Sequence, residues 1–357
     1  MLALATDAFG GRGGIARYNR DFFDALAQSG RMSSIAVLPR HAPDRVVAPL
    51  GISQARPRPG RVAYTLMAVT AALRRPPDIV FCGHLHMAPL AWLIARLSRA
   101  KLVIQTHGIE AWPRPSRLRR AALEAADLVL CVSRHTRAQI AGWAALAPER
   151  LLVVPNTVGD EFSPGDGGAL RTALGLDGKR VLLTVGRIDA RERYKGHDRV
   201  IRAIAALVRR GHDVVYLIVG DGDDRRHLAQ LARTAGVAER VRFLGAVSRQ
   251  YLVEVYRLAD VFVMPSTGEG FGIAYLEAMA SGTPALGLAV AGARDALADG
   301  ELGAAASEDD LPGAIARLLG TPKPAPEALS KAVRARFGRT VFRARVGMAL
   351  DRLLHPA

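Results

Sequence analysis

The sequence predicts an α/β protein built as two Rossmann-like domains, each with a parallel sheet, facing each other across a ligand-binding cleft. Three observations carry that expectation. Short apolar strands alternate with longer helical stretches. The alternation stops at a glycine- and proline-rich break and then starts again. The length, 357 residues, exceeds what one hydrophobic core comfortably uses and suits two domains. The strand candidates are continuous apolar runs rather than alternating ones, which places them in parallel sheets covered on both faces.

In chain order, Leu2–Thr6 reads as the opening strand. The glycine-rich turn Gly10–Gly14 and a helix over Ile15–Gln28 follow it. Further strands are expected at Ser34–Leu38, Ile79–Cys82, Leu102–Thr106, Leu128–Val132 and Leu151–Val154. The break is Asn156–Gly168, whose proline and four glycines suit a linker. The pattern then resumes with strand Val181–Val185, helix Val200–Arg210, strand Val214–Val219 and helix Arg225–Ala235. Strand Val241–Phe243, helix Ser248–Leu258, strand Val261–Met264, a helix from about Gly272 and strand Pro284–Leu288 complete it. The domains are therefore expected over residues 1–165 and 166–337. A terminal helix is expected over 338–357, with a packing partner that periodicity does not specify.

Composition narrows the class. Half the residues are hydrophobic and 6% aromatic, which excludes a disordered chain. Cys82 and Cys131 each end an apolar run without a CxxC partner, and read as buried thiols of a reducing compartment. The apolar stretches Tyr64–Leu73 and Met87–Leu97 are too short to cross a bilayer. With no basic region ahead of a long apolar stretch at the start, a cytoplasmic location is expected, with attachment at the inner face of the cell membrane left open. The net charge of +16 is uneven, +10 over residues 1–165 and +6 over 166–357. Such a surface attracts phosphorylated substrates, acidic headgroups or nucleic acid. No aromatic–basic interleaving, zinc finger or recognition-helix pattern accompanies it, so no nucleic acid is expected.

Three segments carry chemistry. The turn Gly10–Gly14 stands between first strand and first helix, where glycines let the main chain approach a bulky anion and the helix start adds positive character. It is neither the dinucleotide fingerprint nor a Walker loop. The segment Val185–Asp198 sends Arg187 from a strand end and Lys195 from just before the next helix, two cations suited to a diphosphate. The third segment, Pro265–Pro284, puts Glu269 in a glycine-lined turn and Glu277 eight positions later, inside an otherwise apolar helix. Carboxylates accept paired hydroxyl hydrogen bonds, and the amides of Phe271, Gly272 and Ile273 open that helix. Glu269 also has a structural reading as a helix cap, which leaves Glu277 unexplained.

These residues together resemble a retaining glycosyltransferase of family 4 with GT-B architecture. The signature is the E-x7-E pair, E269-GFGIAYL-E277, with the paired glycines of the first turn, the GR…KG segment and the SGTP stretch. The resemblance covers residues 1 to about 335. It implies a second domain that binds a nucleotide sugar and a first domain on the acceptor side. Gly13 and Gly14 then correspond to the turn whose main chain meets donor phosphates, and Arg187 and Lys195 to the cations that hold the diphosphate. Glu269 resembles the carboxylate touching the transferred sugar, with Phe271, Gly272 and Ile273 offering amides beside it, and Glu277 the residue binding the ribose. His107, in QTHG, resembles the family histidine near the reacting carbon. Val241–Val247 corresponds to the border of the nucleobase.

One departure stands out. Lys195 follows Arg187 by eight positions, a longer interval than in many relatives, and Arg191 is the substitute if Lys195 does not reach. The arm ARERYKGHD belongs to a subset that includes mannosyl- and glucosyltransferases of bacterial polysaccharide assembly.

The implied activity is transfer of a hexose, mannose before glucose or N-acetylglucosamine, from GDP-mannose or a UDP-hexose to a saccharide or lipid-linked acceptor. No other cofactor and no metal is expected. His84 and His86 lack a third ligand nearby in sequence, and helix capping accounts for Asp221, Asp223 and Asp224. The arginine-flanked apolar stretch Arg56–Arg75 and the basic run after Trp112 suit either an anionic membrane or a solvated helix face. Alternative readings are a sugar-nucleotide epimerase or hydrolase on the same fold, and a non-catalytic basic scaffold or nucleic-acid-binding protein.

Overall fold

The computed structural model describes residues 1–11, 13–43 and 46–355. Arg12 of the first turn, and the Pro356 and Ala357 end of the expected last helix, lie outside them. The chain divides into two compact units, one of Met1–Thr157 with the segment from Thr340, the other of Val158–Arg339.

The first unit opens with β1 (Leu2–Ala5), α1 (Gly14–Gln28), β2 (Ile35–Pro39), β3 (Ile52–Gln54) and α2 (Arg61–Arg74). It continues through β4 (Ile79–Cys82), α3 (Ala88–Ser98), β5 (Lys101–Thr106), α4 (Arg117–Glu124), β6 (Leu128–Cys131), α5 (Arg134–Ala141) and β7 (Leu151–Val153). The strands form one parallel sheet in the order β3-β2-β1-β4-β5-β6-β7. Each residue of β1, β4 and β6 is buried, as expected where helices cover both faces. Cys82 and Cys131 are buried free thiols, and burial pushes both up to about 12.

The second unit contains α6 (Gly168–Ala173), β8 (Arg180–Val185), α7 (His197–Arg209), β9 (Val214–Val219), α8 (Arg225–Thr234), β10 (Val241–Gly245) and α9 (Arg249–Leu258). Then come β11 (Val261–Met264), α10 (Ile273–Ala280), β12 (Ala285–Leu288), α11 (Ala293–Ala296), β13 (Ala304–Ala306), α12 (Leu311–Gly320) and α13 (Pro326–Phe337). Its parallel sheet runs β10-β9-β8-β11-β12-β13. Val261 pairs with Leu182 and Phe262 with Leu183 across the β8–β11 join, where strand order reverses. Loops leaving the carboxyl ends of these two strands flank the crevice in which doubly wound sheets hold ligands.

Two edge strands escape the sequence pattern: β3 reads Ile-Ser-Gln and β13 three alanines, neither an apolar β-branched run. The stretch expected as a linker is packed. Phe162 is buried with its ring edge-on to Tyr256 at 5.7 Å, and the Val158 N–H donates to the Phe337 carbonyl at 3.1 Å. The last helix, α14 (Arg339–Leu354), belongs with the first unit. There Phe342 meets Tyr18 edge-on at 5.8 Å, and Asp351 pairs with Arg31.

Candidate functional site

In the second unit, β8 delivers Arg187 at its carboxyl end and a short 3₁₀ turn, Ala190–Lys195, occupies the long interval before α7. Asp189 caps that turn, its carboxylate accepting the Arg191 N–H at 2.9 Å. The turn carries Lys195 back toward the strand end. Its Nζ lies 3.0 Å from Glu192 Oε2, while Glu192 Oε1 accepts from Arg187 Nη2. One carboxylate thus joins the two cations singled out in the sequence. Lys195 is largely sheltered and Arg187 is 70% exposed. Arg191, the substitute considered for Lys195, is exposed.

Asp221 serves the turn, accepting the Gly222 N–H at 2.9 Å, but the expectation that Asp223 and Asp224 serve only as helix caps is corrected by the geometry. Asp224 stands at the N-cap of α8 but makes no side-chain cap bond. It instead accepts from Arg193 Nε at 2.9 Å and Nη2 at 2.5 Å, and Asp223 accepts the Ala190 N–H at 2.8 Å. These aspartates hold the loop after β8 from the side of β9. Hydrogen bonding from Arg193 holds the Asp224 carboxyl below the usual carboxylate range.

The loop after β11 is shaped by backbone. Gly272, the N-cap of α10, has φ +99°, in the left-handed region that favours glycine. Gly292 donates its N–H to the Glu269 carbonyl at 2.9 Å, and a Cβ there would lie 2.0 Å from the Gly270 carbonyl oxygen. Burial is the largest influence on the Glu269 carboxyl and raises its pKa, opposed by Lys195 and reinforced by Glu192. Glu269 therefore shares an electrostatic environment with the loop after β8. The loops also touch directly: the Thr267 N–H donates to the Tyr194 carbonyl at 2.9 Å, and a Cβ on Gly196 would lie 2.5 Å from the Pro265 carbonyl oxygen.

Below them runs a buried polar chain. His197 Nδ1 lies 3.4 Å from Tyr216 Oη, which donates at 2.7 Å to Thr184 Oγ1. Burial, with Lys195 nearby, lowers His197 to about 4, so it is neutral at pH 7. Phe271 is buried, Ile273 starts α10, and Glu277 is buried within that helix, its Oε2 accepting from Tyr256 Oη at 2.8 Å. That pairing accounts for a carboxylate on an apolar helix.

In the first unit, Gly10 and Gly13 have φ of +79° and +93°, in the region that favours glycine, and Gly14 begins α1. Arg20 Nη1 fastens the turn by donating to the Ala8 and Gly11 carbonyls at 3.0 and 2.7 Å. His107 follows β5. Its Nε2 lies 3.0 Å from the Gly83 carbonyl, which can only accept, so Nε2 carries the proton and Nδ1 keeps its lone pair. Burial lowers His107 to about 4. Its ring packs edge-on to Tyr18 at 5.4 Å and lies 6.3 Å from His84, itself 4.6 Å from His86. Among the described residues, no group of three or more His, Cys, Asp or Glu is placed to hold a metal ion. A surface hollow of about 560 Å³ along α9, lined by Glu161, Arg249 and Arg257 among others, includes none of the residues of the β8 and β11 loops.

The sequence reading passed over Glu192 and Tyr194, although both stand in the quoted arm. Only the turn shows that Glu192 joins both cations.

Comparison with known proteins agrees with this architecture. Residues 12–162 match the family model described as Glycosyltransferase Family 4, and residues 169–336 that described as Glycosyl transferases group 1. The GDP-mannose-dependent alpha-(1-6)-phosphatidylinositol monomannoside mannosyltransferase of Mycolicibacterium smegmatis is 32% identical over 349 residues, 90% of each chain. The D-inositol 3-phosphate glycosyltransferase of Mycolicibacterium gilvum is 34% identical over 281 residues, which span 72% of this chain and 62% of that relative. Among solved structures, Anabaena HepE in complex with UDP has a TM-score of 0.79 at 20% identity, covering 98% of this chain and 100% of that one. The chain belongs to the family-4 glycosyltransferases, enzymes that move a sugar from a nucleotide-sugar donor to an acceptor.

Proposed function

We propose that the protein is a retaining hexosyltransferase. It takes a hexose from a GDP- or UDP-sugar, mannose before glucose or N-acetylglucosamine, and passes it to a saccharide or lipid-linked acceptor in polysaccharide or glycoconjugate assembly. The observation that carries this reading is the meeting of Arg187, Lys195 and the sheltered Glu269 on the touching loops of β8 and β11. The GDP-mannose dependence in the name of the M. smegmatis relative favours mannose.

In this reading the donor diphosphate lies against Arg187 and Lys195. Both bind the departing nucleotide more tightly as its charge grows, and that difference lowers the barrier. Glu269 holds hydroxyls of the transferred sugar, and the amides of Phe271, Gly272 and Ile273 reach oxygens beside it. Glu277 receives the ribose hydroxyls, while Tyr256 keeps its carboxylate aimed. The acceptor attacks the face from which the nucleotide leaves, through an oxocarbenium-like state, and the anomeric configuration is retained. Within the first unit, the family resemblance gives Gly13 and Gly14 the role of a phosphate-contacting turn, and His107, held in one tautomer, that of the histidine near the reacting carbon. The nucleotide sugar is the co-substrate, and the roles need no metal.

The location in this reading is cytoplasmic, at the inner face of the cell membrane. Among the described residues, no helix is long and apolar enough to cross a membrane. Peripheral contact is supported by α2, where Val62, Leu66 and Leu73 are 62–74% exposed and exposed Arg61, Arg74 and Arg75 stand at its ends.

The test is a calorimetric titration of sugar nucleotides, followed by transfer assays with lipid-linked acceptors and determination of the product's anomeric configuration. Tight binding of one GDP- or UDP-hexose and a retained anomer are expected. An inverted anomer, or turnover of the sugar nucleotide that ignores acceptor, would defeat the reading.

A further inference from the structure

Glu192 has no task in the donor reading, yet it stands between that reading's two cations. Its Oε1 accepts from Arg187 and its Oε2 lies 3.0 Å from Lys195 Nζ. The side chain is only 13% exposed, so water screens these pairs less than it screens ordinary surface ion pairs. The loop has other anchors on both sides of it: the Asp189 cap, the Asp223 bond to Ala190 and the Asp224 pair with Arg193. These anchors hold the loop on either side of Glu192.

Charge balance then matters. Arg187 and Lys195 are offset one for one by Glu192 and Glu269, and the influence of Lys195 and Glu192 on the Glu269 carboxyl places all but Arg187 within electrostatic reach of one another. A diphosphate arriving in these surroundings meets no surplus of positive charge while Glu192 keeps its partners. Phosphate oxygens and the Glu192 carboxylate compete for the same N–H donors.

We infer that Glu192 is a built-in counter-anion, which occupies the diphosphate's cations while the nucleotide is absent and yields them when it binds. This rests on the reading that the loop after β8 receives the donor diphosphate. Glu192 acts as a positioning residue. It keeps both cations aimed in the empty site, and by competing for them it hastens departure of the nucleoside diphosphate product. Aiming the cations strengthens binding and competing for them weakens it. One charge-assisted hydrogen bond from Arg187 and one sheltered ion pair with Lys195, both of which must be broken, outweigh the side-chain freedom that pre-aiming spares.

The experiment titrates UDP and GDP, with UMP and GMP alongside, into the full chain as wild type, Glu192→Gln and Arg187→Ala. Glu192→Gln should bind the diphosphates about tenfold tighter, equivalent to about 1.4 kcal/mol, and gain much less for the monophosphates. In turnover assays its donor KM and kcat should fall together, because product leaves more slowly. A role confined to bracing the loop would weaken binding of both nucleotide classes. If wild type binds a diphosphate through Arg187 and Glu192→Gln leaves that affinity unchanged or weaker, the inference falls and the donor reading stands. If wild type binds neither diphosphate, both fall. Should Glu192→Gln not fold, Glu192→Asp keeps the charge and shortens its reach. It should also bind diphosphate more tightly than wild type, and equal or weaker binding overturns the inference.

Discussion

The loops after β8 and β11 leave adjoining strands of one sheet, and both are closely packed, yet they differ in how much charge holds them. The loop after β8 adds charge to its close approach at Gly196: Asp189, Asp223, Asp224 and Glu192 each hold a donor of the 3₁₀ turn or its flanks. The loop after β11 is fixed by sterics, with Gly272 inside it and Gly292, from the loop after β12, pressed against it where no side chain fits. Ion pairs can exchange one anion for another, whereas a backbone wedged against a carbonyl oxygen has no such alternative. A group meant to follow developing charge belongs on the first, and a group meant to hold a sugar in one pose belongs on the second.

Three experiments strain that contrast, starting with the largest effect. Arg187→Ala should lower kcat about 10²- to 10³-fold with little change in melting temperature, because the exposed arginine contributes charge and little packing. A kcat near wild type would remove Arg187 from the donor site. Gly292→Ala presses on the other loop from its neighbour after β12. The added Cβ would lie 2.0 Å from a backbone oxygen, and the Glu269 carbonyl accepts the Gly292 N–H. A loss of about 1–3 kcal/mol in stability and about a hundredfold in turnover is expected, read by thermal unfolding and steady-state kinetics. Full activity in Gly292→Ala would show that the loop after β11 adapts to pressure from its neighbour after β12.

The smallest effect is a difference in pH response. Burial raises the Glu269 pKa, so the folded protein holds that proton more tightly than the unfolded chain. Its stabilising contribution is present below the unfolded carboxylate range and is lost as pH rises through the raised folded value. Asp224 behaves oppositely: its carboxyl is lowered by Arg193, and its contribution is lost as pH falls through the folded value. Glu269→Gln should therefore abolish most turnover while melting slightly above wild type at pH 7, with the two converging below about pH 4. Asp224→Asn should melt below wild type at pH 7 and converge with it in acid. The same sign of change in both variants at pH 7 would contradict the contrast.

How far the sequence revealed this depends on what each feature is made of. Strands such as Ile79–Cys82 and Val214–Val219 are legible because a parallel strand buried on both faces must be apolar at every position. The edge strands β3 and β13 carry no such demand, and their short polar or alanine runs look like loop. Arg187, Lys195, Glu269 and Glu277 stand out through residue type, spacing and resemblance. Glu192 does not, because an acid among arginines reads as solvated until a turn brings it against both cations. The aspartates after β9 were misread for a similar reason. A carboxylate ahead of a helix suggests a cap, and only the fold shows Arg193 reaching it from the neighbouring loop. Proximity in sequence identifies local partners well, and partners contributed by a neighbouring strand's loop poorly.

The most direct measurement is a crystal structure of the full chain with UDP or GDP bound. The account predicts the β-phosphate against Arg187 and Lys195, the ribose hydroxyls at Glu277, and the Glu192 carboxylate turned away from both cations. A nucleotide seated elsewhere, with Arg187 and Lys195 still closed on Glu192, would contradict it.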